Sequence, residues 1–315
     1  MELRHLRYFL AVAEELHFAR AAERLHMDQS PLSRTIKDLE EELGAQLFTR
    51  TTRNTRLTHA GKVFLERVPR IFEALEQARD GVKSAANGFH GQLRIALSDG
   101  ITPSRLPALL ARSREEEPEV EIRLFEVPFD QQIKGLHDDL YDAGFSMADE
   151  VGEGILATPA WADELMVALY SRHPLLEYRR VPLHKVLQQR LVLGDPAFCQ
   201  GHTRQVDRIL QKRDEELQIL QRVATFDVMM ALVASGVAIG LAGAAHIASS
   251  REMGIVARPL TGVPPMLTTY LLRRDAEPGA MLARFIEHVA SIDSGSGAVA
   301  AAADVHDPAS KGVKP

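Results

Sequence analysis

The chain carries a single cysteine, Cys199, in 315 residues. A lone thiol excludes an internal disulfide framework and a multi-cysteine zinc site. No run of about 18 uncharged apolar residues occurs, so no membrane-spanning helix is expected. The opening residues, MELRHLRYFL, lack the basic start, long apolar run and small-residue cleavage site of a secretory signal. A cytoplasmic protein without membrane contact is the expectation. The motifs G-x-S-x-G, H-E-x-x-H, G-x-x-x-x-G-K-[ST] and G-x-G-x-x-G are missing. The 12 histidines are scattered without ligand spacing. Neither an enzyme nor a cofactor is expected; an α/β small-molecule enzyme is the weak rival.

Acidic residues outnumber basic ones, 43 to 37, and the formal net charge is −6. None of them lies between Leu43 and Lys62, where Arg50, Arg53, Arg56 and Lys62 fall. A basic stripe on an acidic chain points to one confined anionic contact, not to general coating of nucleic acid.

The residues before that stripe read as helices. Leu6, Phe9, Leu10 and Ala13 form one apolar face, and Phe18, Ala22 and Leu25 form a shorter one. His26-Met27-Asp28 breaks the pattern. A third helix opens at Gln29, with Leu32, Ile36, Leu39 and Leu43 facing inward and Gly44 ending it. Two helices joined by so short a turn are a helix-turn-helix. The outer face of the third helix keeps Gln29, Ser30, Ser33, Arg34 and Lys37, side chains suited to base edges and phosphates. The run LFTRTTRNTRLTHAGK that follows predicts a small basic β-wing.

Residues 61–88 read as one long helix interrupted by Pro69, where a bend is expected. Phe64, Val68, Ile71, Leu75, Ala78 and Val82 follow a heptad seam that favours pairing with a second copy over packing within the chain. Beyond a hinge at 87–91, strand-like runs such as QLRIALS, VEIRLFEV and LTTYLLRR alternate with helical ones, which predicts a mixed, mainly parallel sheet in two α/β lobes. The segment 294–315 is low in complexity and is expected to be disordered.

Phe9, Phe18, Ala21-Ala22, Leu25, Gln29, Leu32-Ser33, Leu39-Glu40, Leu43-Gly44, Leu47-Phe48, Arg50, Leu57-Thr58 and Ala60-Gly61 together resemble the N-terminal signature of the LysR-type transcriptional regulators. The resemblance continues, less specifically, to about residue 292. It implies an α/β protein with a winged helix-turn-helix at 1–60 and a linker and dimerisation helix at 61–88. An effector domain like a periplasmic solute-binding protein follows at 89–293, with lobe I at about 91–161 and 266–293 and lobe II at about 162–265. Implied partners are double-stranded promoter DNA, a small-molecule effector, further copies of the chain in a dimer or dimer of dimers, and RNA polymerase. Gln29, Ser30, Pro31, Ser33, Arg34 and Lys37 would then meet the major groove, and Arg50, Arg53 and Arg56 the backbone or minor groove. Ala19 departs from the serine or threonine common in the family. So does Asp28, whose side chain is expected to cap the recognition helix.

Ligands of open α/β sheets bind beyond strand ends, at helix N-termini. Ser98, Gly100, Ile101 and Thr102 end one strand-like run, Val127 and Pro128 another, and Phe198, His202, Thr225 and Phe226 lie on the second lobe. A carboxylate is among the candidate effectors. Asp99 and Glu126 would repel it unless His202 or Arg204 compensates, so a neutral or amine-bearing effector stays open. Cys199 resembles the cysteine-bearing loop of a redox-sensing branch of the family, but no second cysteine is present to resolve it. His137, Asp138, Asp139 and Asp142 could ligate a metal; an exposed helix face is favoured.

Overall fold

The computed structural model describes residues 1–50, 55–100, 105–210 and 217–300, excepting the side chains of Arg50, Arg251 and 293–300. The chain divides into two compact units, Met1–Val82 and Lys83–Pro315.

The first unit contains α1 (Leu3–Glu15), α2 (Phe18–Arg24), α3 (Gln29–Leu43), β1 (Phe48–Arg50), β2 (Thr55–Leu57) and most of α4 (His59–Ala86). Its core follows the expected periodicity: Leu6, Phe9, Ala13, Phe18, Ala22, Leu32, Ile36 and Leu39 are all buried. Leu43, expected to face inward, is 39% exposed. Gly44 takes the left-handed conformation, φ 66°, that ends α3. Phe9 sits at the centre, its ring 4.8 Å from Phe64 and 5.4 Å from Phe48. Thus α1, the wing root and α4 share one core. Thr58 caps α4 by accepting the Gly61 N–H at 2.9 Å. A Cβ on Gly61 would lie 2.1 Å from the Leu47 carbonyl oxygen, so the helix approaches the wing root too closely for any side chain.

This packing divides the heptad seam. Val68 is fully buried and Phe64 packs against the helix-turn-helix core, so both serve the chain's own unit. Ile71, Ala78 and Val82 are exposed, Val82 at 71%, and Leu75 is half-buried. The helix is continuous through Pro69.

The second unit runs β3 (Gly91–Leu97), α5 (Arg105–Glu116), β4 (Val120–Glu126), α6 (Phe129–His137), β5 (Ala143–Ser146) and β6 (Ile155–Tyr170). Next come α7 (Leu183–Leu187), β7 (Leu191–Gly194), α8 (Gln200–Leu210), β8 (Ile219–Val223), α9 (Phe226–Ala234) and β9 (Ile239–Gly243). α10 (Ala244–Ser249), β10 (Ile255–Pro259), β11 (Met266–Arg274) and α11 (Ala280–Ala300) complete it. Among the described residues nine strands form one sheet in the order β4-β3-β5-β11-β6-β9-β7-β8, with β10 also paired to β6. The sheet is mixed, but not mainly parallel as expected. Parallel pairing holds for β3 with β4 and β5, and for β7 with β8 and β9. Every ladder of β6 is antiparallel.

Strand β6 belongs to both lobes. Its first half joins the core of Phe145, Phe285 and Trp161, and its second half that of Leu165, Val167 and Leu169. Pro159, which hides the first half from a sequence reading, lies where the β6–β11 register shifts between Thr269 and Tyr270. A bulge tolerates the missing N–H. Helix α11 runs on past Ser294, where disorder was expected, and residues 301–315 lie outside the described residues.

Candidate DNA-binding surface and effector cleft

With Leu32, Ile36 and Leu39 turned into the core, α3 presents Gln29, Ser30, Pro31, Arg34 and Lys37 as exposed residues and Ser33 as half-buried. Pro31 falls in the first turn, where backbone N–H groups have no helical partner, so its ring removes nothing. Lys37 is held 3.4 Å from Glu41, one turn on. Asp28 occupies the N-cap position with no side-chain capping hydrogen bond, contrary to expectation.

The wing pairs Phe48 with Leu57 and Arg50 with Thr55. Arg56 is exposed on it, whereas Arg53 lies outside the described residues and the Arg50 side chain is not described. The sequence reading missed what holds the wing to the helix. Glu40 Oε1 accepts the N–H groups of Leu47 at 2.8 Å and Phe48 at 3.0 Å, which clamps the wing root to the last turn of α3. Replacing Glu40 by alanine leaves two N–H donors without this acceptor and should cost about 1–3 kcal/mol. The expected readout is weakened DNA binding with the helical circular dichroism retained; unchanged affinity would remove the clamp from the account.

The two lobes of the second unit enclose a cavity of about 620 Å³. Of the expected residues, Ser98, Gly100, Val127, Pro128, Phe198, Thr225 and Phe226 line it. Ile101 and Thr102 lie outside the described residues. His202 is not in the lining. It is 1% exposed beneath Phe226, whose ring meets it edge-on at 4.8 Å. His246, unforeseen, stacks on Phe226 at 4.4 Å and lines the cavity. Burial pushes the His202 imidazole down to about 3 and the His246 imidazole down to about 4, so both rings are neutral at pH 7.

Ser98 already donates its hydroxyl to Gln132 Oε1 at 2.8 Å. Gln132 is fully buried and donates in turn to the carbonyls of Ala96 and Phe145. Gly100 has φ 62°, and a Cβ there would lie 2.6 Å from the Phe226 ring, so lobe I touches lobe II where only glycine fits.

Asp99 is the centre of the cleft floor. Its Oδ2 accepts Ser146 Oγ at 2.6 Å and Met147 N–H at 3.1 Å, and its Oδ1 accepts the Gly201 N–H of α8 at 2.8 Å. A lobe I carboxylate thereby occupies the N-terminus of a lobe II helix, where unpaired N–H groups and the helix dipole favour an anion. Helix α8 is fastened further. Gln205 exchanges hydrogen bonds with Thr268 and donates to Met147, while Arg204 pairs with Glu150 at 2.9 Å.

Cys199 also lines the cavity, but it is 4% exposed and its thiol donates to the Ala224 carbonyl at 3.3 Å. Burial first, then Asp99 and Asp195, push this thiol up to about 11. A group held as thiol lacks the thiolate that a peroxide sensor needs. The acidic cluster near His137 resolves into ion pairs, Asp142 with Arg94 at 2.8 Å and Asp139 with Arg274. No group of metal-ligating side chains is present among the described residues, and no described helix is long and apolar enough to cross a membrane.

Residues 3–62 match the model of the bacterial regulatory helix-turn-helix proteins of the lysR family, and residues 86–292 match that of the LysR substrate binding domain. The HTH-type transcriptional regulator XapR of Escherichia coli is 32% identical over 260 residues, 82% of this chain and 87% of that protein. The regulator BenM of Acinetobacter baylyi is 29% identical over 294 residues, 93% of this chain and 96% of its own. Full-length CbnR complexed with its target DNA superposes with a TM-score of 0.74 at 29% identity, covering 93% of this chain and all of that one. The chain belongs to the LysR family of DNA-binding transcriptional regulators.

Proposed function

We propose that this chain sits on promoter DNA, reads double-stranded sequence through α3 and the wing, and responds to a small molecule held between its two lobes. The observation that carries this reading is the division of α3 into a buried apolar face and an exposed polar one beside a basic wing. Gln29, Ser30, Pro31, Ser33, Arg34 and Lys37 would enter the major groove, while Arg50, Arg53 and Arg56 would hold phosphates or the minor groove. The structural relative solved on its target DNA supports the same mode. Residues 1–60 then form the DNA-binding domain, 61–88 the linker and 89–293 the effector domain. Ile71, Leu75, Ala78 and Val82 supply the part of the linker seam left over for a second copy, giving a dimer or dimer of dimers. RNA polymerase is the further partner, and the cytoplasm, where promoters are, the compartment.

Arg34→Ala tests the reading. It should weaken specific binding by about 1–3 kcal/mol and relax sequence preference, with little change on unrelated DNA. Equal affinity of the two proteins for a selected operator would remove Arg34 from the contact set.

A further inference from the structure

We infer that the interlobe cleft takes an apolar effector bearing a protonated amine, not a carboxylate. The inference rests on the proposed role of the cleft as the effector site and specifies its chemistry.

Three carboxylates, Asp99, Glu126 and Asp227, lie among the described lining residues, and no lysine or arginine does. Residues 101–104, which follow Gly100, carry no ionisable side chain. The two groups weighed above as offsets are both otherwise engaged. Arg204 is paired with Glu150, and His202 is buried and neutral. The place that best suits an anion, the N-terminus of α8, is already filled by Asp99. At the N-terminus of α9, Thr225 accepts the Val228 N–H and Asp227 adds its own negative charge in the first turn.

Glu126 ends β4 in lobe I, and Asp227 opens α9 in lobe II, so the two exposed carboxylates approach the cavity from opposite lobes. Neither has an ion-pair partner among the described residues. An anionic ligand is repelled by both, whereas a cation in the cavity is attracted by both. The second pointer is His246. It lines the cavity at 7% exposure, with Nε2 on the side of Gly100, 3.9 Å from where a Cβ there would stand, and among the described residues its ring nitrogens have no hydrogen-bond partner. A neutral imidazole nitrogen of this kind accepts from an ammonium or donates to a polar group, while the exposed ring of Phe198 suits an apolar body with a cationic head.

The test is ligand-observed NMR on the full-length protein at pH 7 with benzylamine, benzyl alcohol and benzoate, repeated on the double variant Glu126→Gln/Asp227→Asn. Benzylamine should bind at least tenfold more tightly than benzyl alcohol, and benzoate not at all. The double variant should bring benzylamine down to the level of the alcohol and leave the alcohol unchanged. Equal binding of amine and alcohol, preference for benzoate, or an amine affinity unmoved by the double variant would each overturn the charge assignment while the cleft reading stands. Binding of none of the three would count against the cleft as a small-molecule site, and against the amine with it.

Discussion

Phe9→Ala should destabilise the first unit by about 3–5 kcal/mol, the range for truncating a fully buried phenylalanine. Phe9 is 0% exposed, and its ring contacts both Phe48 at the wing root and Phe64 of α4. Truncation therefore leaves a void where three elements meet and nothing nearby can fill it without moving the wing. A domain of this size holds only about 5–15 kcal/mol of net stability. The expected result is an early unfolding transition and loss of operator binding near body temperature, with the second unit's transition in place. Phe9→Leu should recover most of the stability. A loss below about 1 kcal/mol would contradict a shared core, since burial of so large an aromatic side chain is worth more than that.

Acid should weaken the second unit almost as strongly. His202 and His246 have native values near 3 and 4, both well below the unfolded value of about 6.5. Below pH 6.5 the unfolded chain takes up protons that the native rings refuse, so stability present at neutral pH is lost as the pH falls toward 4. Each ring contributes a slope of up to about 1.4 kcal/mol per pH unit, and the two together about 3–4 kcal/mol by pH 5. Asp163 and Asp207 act the other way. Burial raises both carboxyls, so the native state binds their protons first and regains some stability in the carboxylate range. Urea unfolding at pH 7.5 and pH 5 reads the difference, with His202→Phe and His246→Gln each flattening it. Equal midpoints in the wild type would contradict neutral buried rings.

How far the sequence reveals the fold depends on whether the deciding contact is local. Leu32, Ile36, Leu39 and Gly44 declare α3 because burial at helical spacing and a left-handed end are written in adjacent turns. The seam of α4 is periodic throughout, but periodicity cannot say which neighbour is met. Val68 meets the chain's own core and Val82 meets solvent. Pro159 disguises half of β6 because the bulge that accommodates it depends on β11, over a hundred residues later. The cleft divides the same way. Strand ends and helix starts mark Ser98, Pro128, Thr225 and Phe226 from local pattern alone. Glu40, Asp99 and His246 are missed or misjudged because their roles arise from backbone N–H groups or rings brought in by other elements. Asp99 is the plainest instance: in sequence it is a charge that complicates the cleft, and in the fold it is the acceptor that joins the lobes.

The most direct test of the account is selection of duplexes from a randomised pool by the purified full-length protein at fixed salt, in parallel with Arg34→Ala. Salt must be held constant because phosphate contacts alone shift affinity with it. The account predicts enrichment of one motif by the wild type, with two-fold symmetry if copies pair through α4, and degeneration of that motif at one or two positions with Arg34→Ala. A pool that stays random, or a motif identical in the two proteins, would contradict sequence reading by α3.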